Sequence, residues 1–183
     1  MISVDSIRVK DKYISALLRS LSKKTTFKVD KSLIAELNKY LSIVPALKGK
    51  TKKIPYGANG PRDLKAIGLL LSKTQKYKDR VREIDIRFLE LEYALDDLKT
   101  IAVNYIWDNY GDELAELKPV ARQTVFIDAV LSDICKVLRK VSLLREKAEI
   151  VLQNLTDSYW TLSKVQEIGV AFIPPHLNNR GNI

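Results

Sequence analysis

Apolar side chains recur every three or four residues over most of the chain, which is the spacing of one face of an α-helix. The spacing predicts a first helix from about Val4 to Leu21 and a second that begins after Asp30. Pro45 is expected to end the second helix, because proline disfavours a helical conformation in the residue before it. Residues 1–45 are therefore predicted to form an N-terminal helical arm.

Residues 46–62, ALKGKTKKIPYGANGPR, form the one long stretch without a helical pattern. Glycines and prolines oppose regular structure there, and the stretch carries five basic residues and no acidic one. A loop of this length in a compact domain is usually functional or disordered. We expect it to be a basic Gly/Pro loop.

Two later segments follow a stricter pattern. From Tyr77 to Tyr105 the apolar positions alternate in steps of four and three, and the same alternation runs from Val130 to Leu155. It is predicted to continue from Tyr159 after a small shift of phase. This heptad spacing is typical of left-handed coiled-coil packing.

The fold predicted from these segments is all-α. A break at residues 109–111 separates the two heptad segments, so they are expected to fold back on each other as a long antiparallel, coiled-coil-like hairpin over residues 63–169. Gly169 is expected to terminate the last helix. Two shorter N-terminal helices precede the hairpin, and residues 170–183 are predicted to form a flexible C-terminal tail.

The apolar face is wider than a pair of helices requires. Ile86 and Ile101 flank the first heptad seam, and Leu131 and Leu152 flank the second. The N-terminal helices can cover part of this surplus, and other subunits are expected to cover the rest. The sequence therefore predicts a homo-oligomer.

Charge is distributed unevenly about a net value of +9. Residues 1–82 hold 20 Lys and Arg against 6 Asp and Glu, whereas residues 83–183 hold 11 against 16. The split suggests a polyanionic partner, with nucleic acid first and an anionic membrane second. A solubility role or contact with an acidic protein is the alternative.

Location and chemistry are constrained by what the chain lacks. It has no apolar run of eighteen residues and no secretory signal pattern at its start, and its one cysteine suits a reducing compartment. We therefore expect a cytoplasmic protein with no membrane span. His176 lies in the Pro/Asn-rich tail, and Cys135 lies among apolar helix positions, where an inert thiol is expected. With no motif for catalysis, cofactor or metal, the prediction is a protein that is not an enzyme.

Basic and aromatic residues carry the remaining prediction, which is a nucleic-acid interface. Single-strand binding combines a basic groove that follows the phosphates with aromatic rings on which bases stack. The alternative for the aromatic pair at 159–160 is that it packs the end of the bundle. The candidate contacts are Lys48, Lys50, Lys52, Lys53, Tyr56, Arg62, Lys73, Lys76, Arg80 and Trp160.

Residues 70–168 resemble the UvsY-type recombination mediator proteins of phages. The resemblance lies in the helix KTQKYKDRVREIDIRFLELEYALDDLKTIAVNY, the short polar turn after it, and the closing helix ending LLREKAEIVLQNLTDSYWTLSKVQEI. It implies an all-helical oligomer that binds single-stranded DNA and loads a RecA-like recombinase onto strands covered by single-strand-binding protein. For a phage protein the compartment would be the host cytoplasm.

Three hypotheses follow. The first is an oligomeric accessory protein that binds single-stranded DNA, with RNA left open, in recombination or replication. The second is a non-enzymatic assembly, scaffold or inhibitor protein that acts through helical contacts. The third, peripheral membrane binding by the first helix, is weaker because the apolar face of Val4–Leu21 has no tryptophan or phenylalanine.

Overall fold

The computed structural model of the protein describes residues 2–52, 56–57, 60–61 and 63–171. Nearly all of them are helical. The helices are a π-helical turn Ser6–Lys10, α1 (Lys12–Lys23), a 3₁₀ turn Thr25–Phe27, α2 (Lys31–Lys52), α3 (Leu64–Ala115), α4 (Val120–Val130) and α5 (Ser132–Ala171). Two-residue strands β1 (Tyr56–Gly57) and β2 (Gly60–Pro61) pair antiparallel. The long helix α3 packs against α5, so the predicted all-α hairpin is confirmed.

The predicted heptad seams form the core along α3 and α5. Their fully buried members include Val81, Ile84, Phe88, Leu95 and Ala102 on α3 and Ile134, Val141, Ala148, Val151 and Leu155 on α5. Burial of a side chain of this size contributes about 1.5–3 kcal/mol, so the repeated seam accounts for the length of the two helices.

The phase shift predicted at Tyr159 is wrong. Steps of three and four continue without interruption from Leu155 through Ser158 and Leu162, all of them buried. The seam tolerates a serine because its hydroxyl donates to the carbonyl of Asn154 at 2.9 Å, which satisfies the buried polar group. Tyr159 lies beside the seam and is half-buried.

Helix α2 continues through Pro45, so the predicted end at this residue is wrong. A proline inside a helix costs about 3 kcal/mol, because it removes a hydrogen bond and crowds the preceding turn. Val44 and Leu47 on either side of it are both buried, and each buried aliphatic side chain contributes about 1.5–3 kcal/mol. Burial on both sides therefore offsets the defect. Residues 46–52, which were predicted to be the first part of the loop 46–62, belong to α2.

The first predicted helix is interrupted at Asp11. This residue has an extended backbone and caps α1, where its Oδ1 atom accepts a hydrogen bond from the Ile14 amide at 2.8 Å. Its Oδ2 atom accepts from the hydroxyls of Tyr105 at 3.1 Å and Tyr110 at 2.7 Å. The Tyr13 ring stacks on Tyr105 with centroids 4.3 Å apart. One carboxylate thus ties α1 to the end of α3.

Three further boundaries differ from the prediction. The expected break at 109–111 is a kink with non-helical backbone at Tyr110, after which α3 resumes. The last helix is divided at Leu131, which separates α4 from α5. Gly169 lies inside α5 and does not terminate it. Arg8 occupies the division at Leu131, where its guanidinium donates to the carbonyls of both Ala129 and Val130.

The chain packs as two compact units. The N-terminal unit comprises Met1–Lys31 and Ile86–Glu146, and the basic unit comprises Ser32–Asp85 and Lys147–Ile183. Both long helices of the hairpin are thus shared between the two units. The basic unit has 15 Lys and Arg against 8 Asp and Glu, which is +7 of the net +9. Among the described residues, no helix has both the length and the apolar content needed to cross a membrane.

Candidate nucleic-acid interface

Helices α2 and α3 run antiparallel within the basic unit, and two contacts establish their register. Glu36 lies opposite Arg80, with two ion-pair distances of 2.8 Å. One turn further along α2, Tyr40 lies opposite Tyr77, with ring centroids 5.4 Å apart at 59°. Pairing in this register brings the second half of α2 beside the start of α3.

Arg80 is a predicted phosphate contact that already has carboxylate partners in the structure. Its guanidinium forms a bidentate pair with Glu36, and its Nη1 atom contacts Glu83 at 2.6 Å. These hydrogen bonds raise the pKa of Arg80, and the bond from Arg80 lowers the pKa of Glu36. With two carboxylates around it, Arg80 holds α2 on α3 and has little unbalanced charge for a phosphate. A phosphate contact at Arg80 stays a prediction, and it would compete with these ion pairs.

A cleft of about 240 Å³ lies between α2 and α3 on the far side of the tyrosine pair. Its lining combines aliphatic side chains with one serine, two lysines and one tyrosine; the residues are Ser42, Ile43, Ala46, Leu47, Lys50, Leu70, Lys73 and Tyr77. The Lys73 Nζ atom lies 5.7 Å from the centre of the Tyr77 ring. The cleft therefore presents two exposed ammonium groups beside an apolar surface.

Three predicted contacts keep their charge unbalanced. Lys50, Lys73 and Lys76 are exposed, and within the described ranges no carboxylate lies at ion-pair distance from them. Lys76 follows Lys73 by three residues on α3, so both lie on one side of this helix. Free ammonium groups of this kind can bind an anion without first breaking an ion pair.

Lys48 differs from these three in having a neutral partner. Its Nζ atom donates to the Asn154 Oδ1 atom at 2.5 Å, which joins α2 to α5. Because an amide carries no charge, the ammonium group remains uncompensated. Lys48 is exposed and can contact a phosphate from this position.

The aromatic pair on α5 is accessible. Trp160 is 59% exposed and meets Tyr159 edge-on, with centroids 6.2 Å apart at 83°. Lys78 lies over the Tyr159 ring, 4.9 Å from its centre. The alternative in which both rings pack the end of the bundle does not hold for Trp160. Lys78 was absent from the predicted contacts, since helical spacing alone does not show that it faces Tyr159.

The remaining predicted contacts lie at the edge of the described structure or beyond it. Lys53 and Arg62 lie outside the described residues. Lys52 is the last residue of α2, and Tyr56 is the first residue of β1; only their backbone is described.

Reactive and metal-binding groups are sparse in the part of the chain that the structure describes. No cluster of three His, Cys, Asp or Glu side chains suitable for a metal ion occurs there. Cys135 is half-buried, and its thiol lies 3.6 Å from the Asp128 Oδ1 atom. Burial raises the pKa of Cys135, which agrees with the inert thiol expected from its position. His176 lies outside the described residues.

Comparison with protein-family models, curated proteins and solved structures finds no match for this chain. The site is therefore defined by its own geometry. Uncompensated lysines, an aliphatic cleft and an exposed indole can together bind an anionic chain that carries flat rings, without any covalent chemistry.

Proposed function

We propose that the protein is an oligomeric accessory protein that binds single-stranded nucleic acid through the basic unit. The observation that carries the proposal is a group of three exposed lysines that have no carboxylate partner within the described residues: Lys50 and Lys73, which line the cleft, and Lys76, one turn beyond Lys73 on α3. A phosphate backbone is the common biological ligand that matches a line of free ammonium groups.

Two further features support this function. The basic unit carries most of the excess positive charge, which attracts a polyanion before any specific contact forms. Trp160 offers a largely exposed ring, and stacking of a base on such a ring contributes about 1–3 kcal/mol with little dependence on sequence. Phosphate contacts and stacking together favour single strands, whose bases are free to stack.

The biological process proposed is recombination, with the protein as a mediator that loads a RecA-like recombinase onto strands covered by single-strand-binding protein. The resemblance of residues 70–168 to the UvsY-type phage proteins supports this part of the proposal. DNA is the proposed ligand, and assembly into a homo-oligomer in the cytoplasm belongs to the same proposal. Exposed apolar residues on the outer face of α3, such as Ile86 and Ile101, supply a surface for that assembly.

Binding to a fluorescein-labelled thymidine oligonucleotide of about 16 nucleotides, the upper end of known site sizes, tests the proposal by fluorescence anisotropy. The test variant replaces Lys50, Lys73 and Lys76 by alanine. The matched control replaces Lys136, Arg139 and Lys140, which are equally exposed on α5 but belong to the N-terminal unit.

Wild-type protein should lose affinity steeply between about 50 and 200 mM salt, because bound phosphates release counterions. Each phosphate contact to a single strand contributes about 0.7 to the slope of log K against log salt, so the triple variant should lower this slope by about 2. The control should leave it nearly unchanged. Absence of binding at low salt, or equal slopes for the two variants, would refute the proposal.

A second candidate is an assembly or scaffold protein without nucleic-acid affinity. Ile86, Tyr93 and Ile101 favour it, since they lie on α3 at steps of seven and eight residues and are each about half exposed or more. In this candidate the lysines bind an acidic protein, so the triple lysine variant should lose that protein complex and nothing else. Light scattering of the same variant, with and without oligonucleotide, separates the two functions.

A further inference from the structure

The cleft between α2 and α3 has features that a phosphate track alone does not require. Its lining includes the aliphatic side chains of Ile43, Leu47 and Leu70 and the half-buried Tyr77. A surface that binds only phosphates needs cations and hydrogen-bond donors, not an aliphatic recess. The recess therefore indicates that part of the ligand beside the phosphates is apolar.

Size limits what this apolar part can be. Pockets that enclose a whole drug-sized ligand measure roughly 300–1,000 Å³, and the cleft measures about 240 Å³. It can accept one flat ring from a larger ligand, while the rest of the ligand stays outside. A stacked and paired base inside a duplex cannot enter such a recess, but a base of a single strand can turn out of its stack.

Charge identifies the class of ligand. Lys50 on α2 and Lys73 on α3 both line the cleft, so each of its two helices contributes an ammonium group. A nucleotide within a strand has the same arrangement, with a flat base between two phosphates. Lys76 follows on α3 and can contact the next phosphate along the strand.

We infer that the cleft binds one unstacked base of a single strand, with its adjacent phosphates at Lys50 and Lys73, and that this contact gives the protein its preference for single strands over duplexes. The inference rests on the proposed function. It adds the recognition element that the lysines by themselves cannot supply, since a duplex also presents phosphates.

Filling the cleft without changing charge tests the inference. Ala46 lines the cleft from α2 and is exposed, so Ala46→Trp places an indole in the recess and leaves every lysine in position. The matched control is Ala35→Trp, an exposed alanine on the same helix that does not line the cleft. Circular dichroism confirms that both variants retain the helical content of the wild type.

Ala46→Trp should weaken binding of the thymidine oligonucleotide by about 5-fold to 150-fold, the equivalent of one stacked base, and should leave weak duplex binding unchanged. Ala35→Trp should bind as the wild type does. Equal affinity of the two tryptophan variants for the thymidine oligonucleotide would overturn the inference.

A second measurement needs no variant. An abasic oligonucleotide of the same length has the phosphates and lacks the bases, and wild-type protein should bind it more weakly than the thymidine oligonucleotide by at least this factor, because the base at Trp160 is lost as well. Equal affinity for the two would overturn the inference and the stacking on Trp160, and would leave phosphate binding by the lysines standing. Failure of the wild type to bind either one would instead refute the proposed function itself.

Discussion

Substitution of Arg8 tests how the division between α4 and α5 is stabilised. Its Nη1 atom donates to the carbonyls of Ala129 and Val130, both at 3.2 Å, and to the Ser132 hydroxyl at 2.6 Å. Its Nη2 atom pairs with Asp133 at 2.6 Å. The last carbonyls of a helix have no partner within the helix, so one side chain here supplies the donors that the end of α4 lacks.

The cost of Arg8→Met follows from the exposure of these groups. Val130 is fully buried, and a buried carbonyl left without a donor costs about 1–3 kcal/mol. The Arg8 and Asp133 side chains are 25% and 45% exposed, so solvent screening limits their ion pair to about 0.5–1 kcal/mol. Methionine retains part of the aliphatic packing. We expect the variant to lose about 2–3 kcal/mol of unfolding free energy in total.

Thermal denaturation followed by circular dichroism measures this loss, which should appear as a fall in Tm of about 4–12 °C for a chain of this size. Arg19→Met is the matched control, because the exposed Arg19 guanidinium donates to Ser15 on its own helix. The control should change stability by less than about 0.5 kcal/mol. Equal stability of the two variants would show that water satisfies the end of α4 equally well, and the reasoning would fail.

Two other predictions concern stability. Gly68 lies within α3 with open space around the position of a Cβ atom, so Gly68→Ala should raise the unfolding free energy by about 0.5–1 kcal/mol in urea denaturation, and a decrease would contradict the geometry. The second prediction concerns the pH dependence of stability. Burial raises the pKa of Asp11, but hydrogen bonds from Ile14, Tyr110 and Tyr105 outweigh burial and leave this pKa below its ordinary value of 3.8. The hydrogen bond to Asp11 raises the pKa of Tyr110 to about 12. The ionised Asp11 carboxylate therefore contributes to the unfolding free energy above about pH 4, and this contribution is lost below that pH. The protonated Tyr110 hydroxyl contributes below about pH 10, and its contribution is lost as the pH rises towards 12. The stability difference between wild type and Asp11→Asn should shrink at both extremes, and a difference independent of pH would refute the assignment.

The parts of the fold that the sequence predicted are those in which neighbours along the chain carry the information. Positions such as Val81 and Phe88 repeat every seven residues, and a heptad repeat requires one buried seam regardless of what covers it. The kink at Tyr110 was also foreseen as a break, because glycine follows it.

Other parts depended on residues distant in the sequence. Arg8 contacts the end of α4, more than 120 residues later in the sequence. The periodicity of the sequence does not predict that contact. Arg80 belongs to the predicted basic track by spacing, yet Glu36 neutralises it from 44 residues away. The register between α2 and α3 decides which cations are free, and spacing along one helix cannot supply it.

The error at Pro45 and the candidate site have the same physical cause. If α2 ended at the proline, Lys50 would belong to a loop and would have no defined position relative to Lys73. Because Leu47 is buried beyond the proline, α2 continues, and this continuation brings Lys50 into the lining of the cleft together with Lys73. The burial of one leucine thus helps to determine the position of a lysine at the surface. The packing that offsets an unfavourable proline is, by the same contacts, the packing that forms the proposed binding cleft.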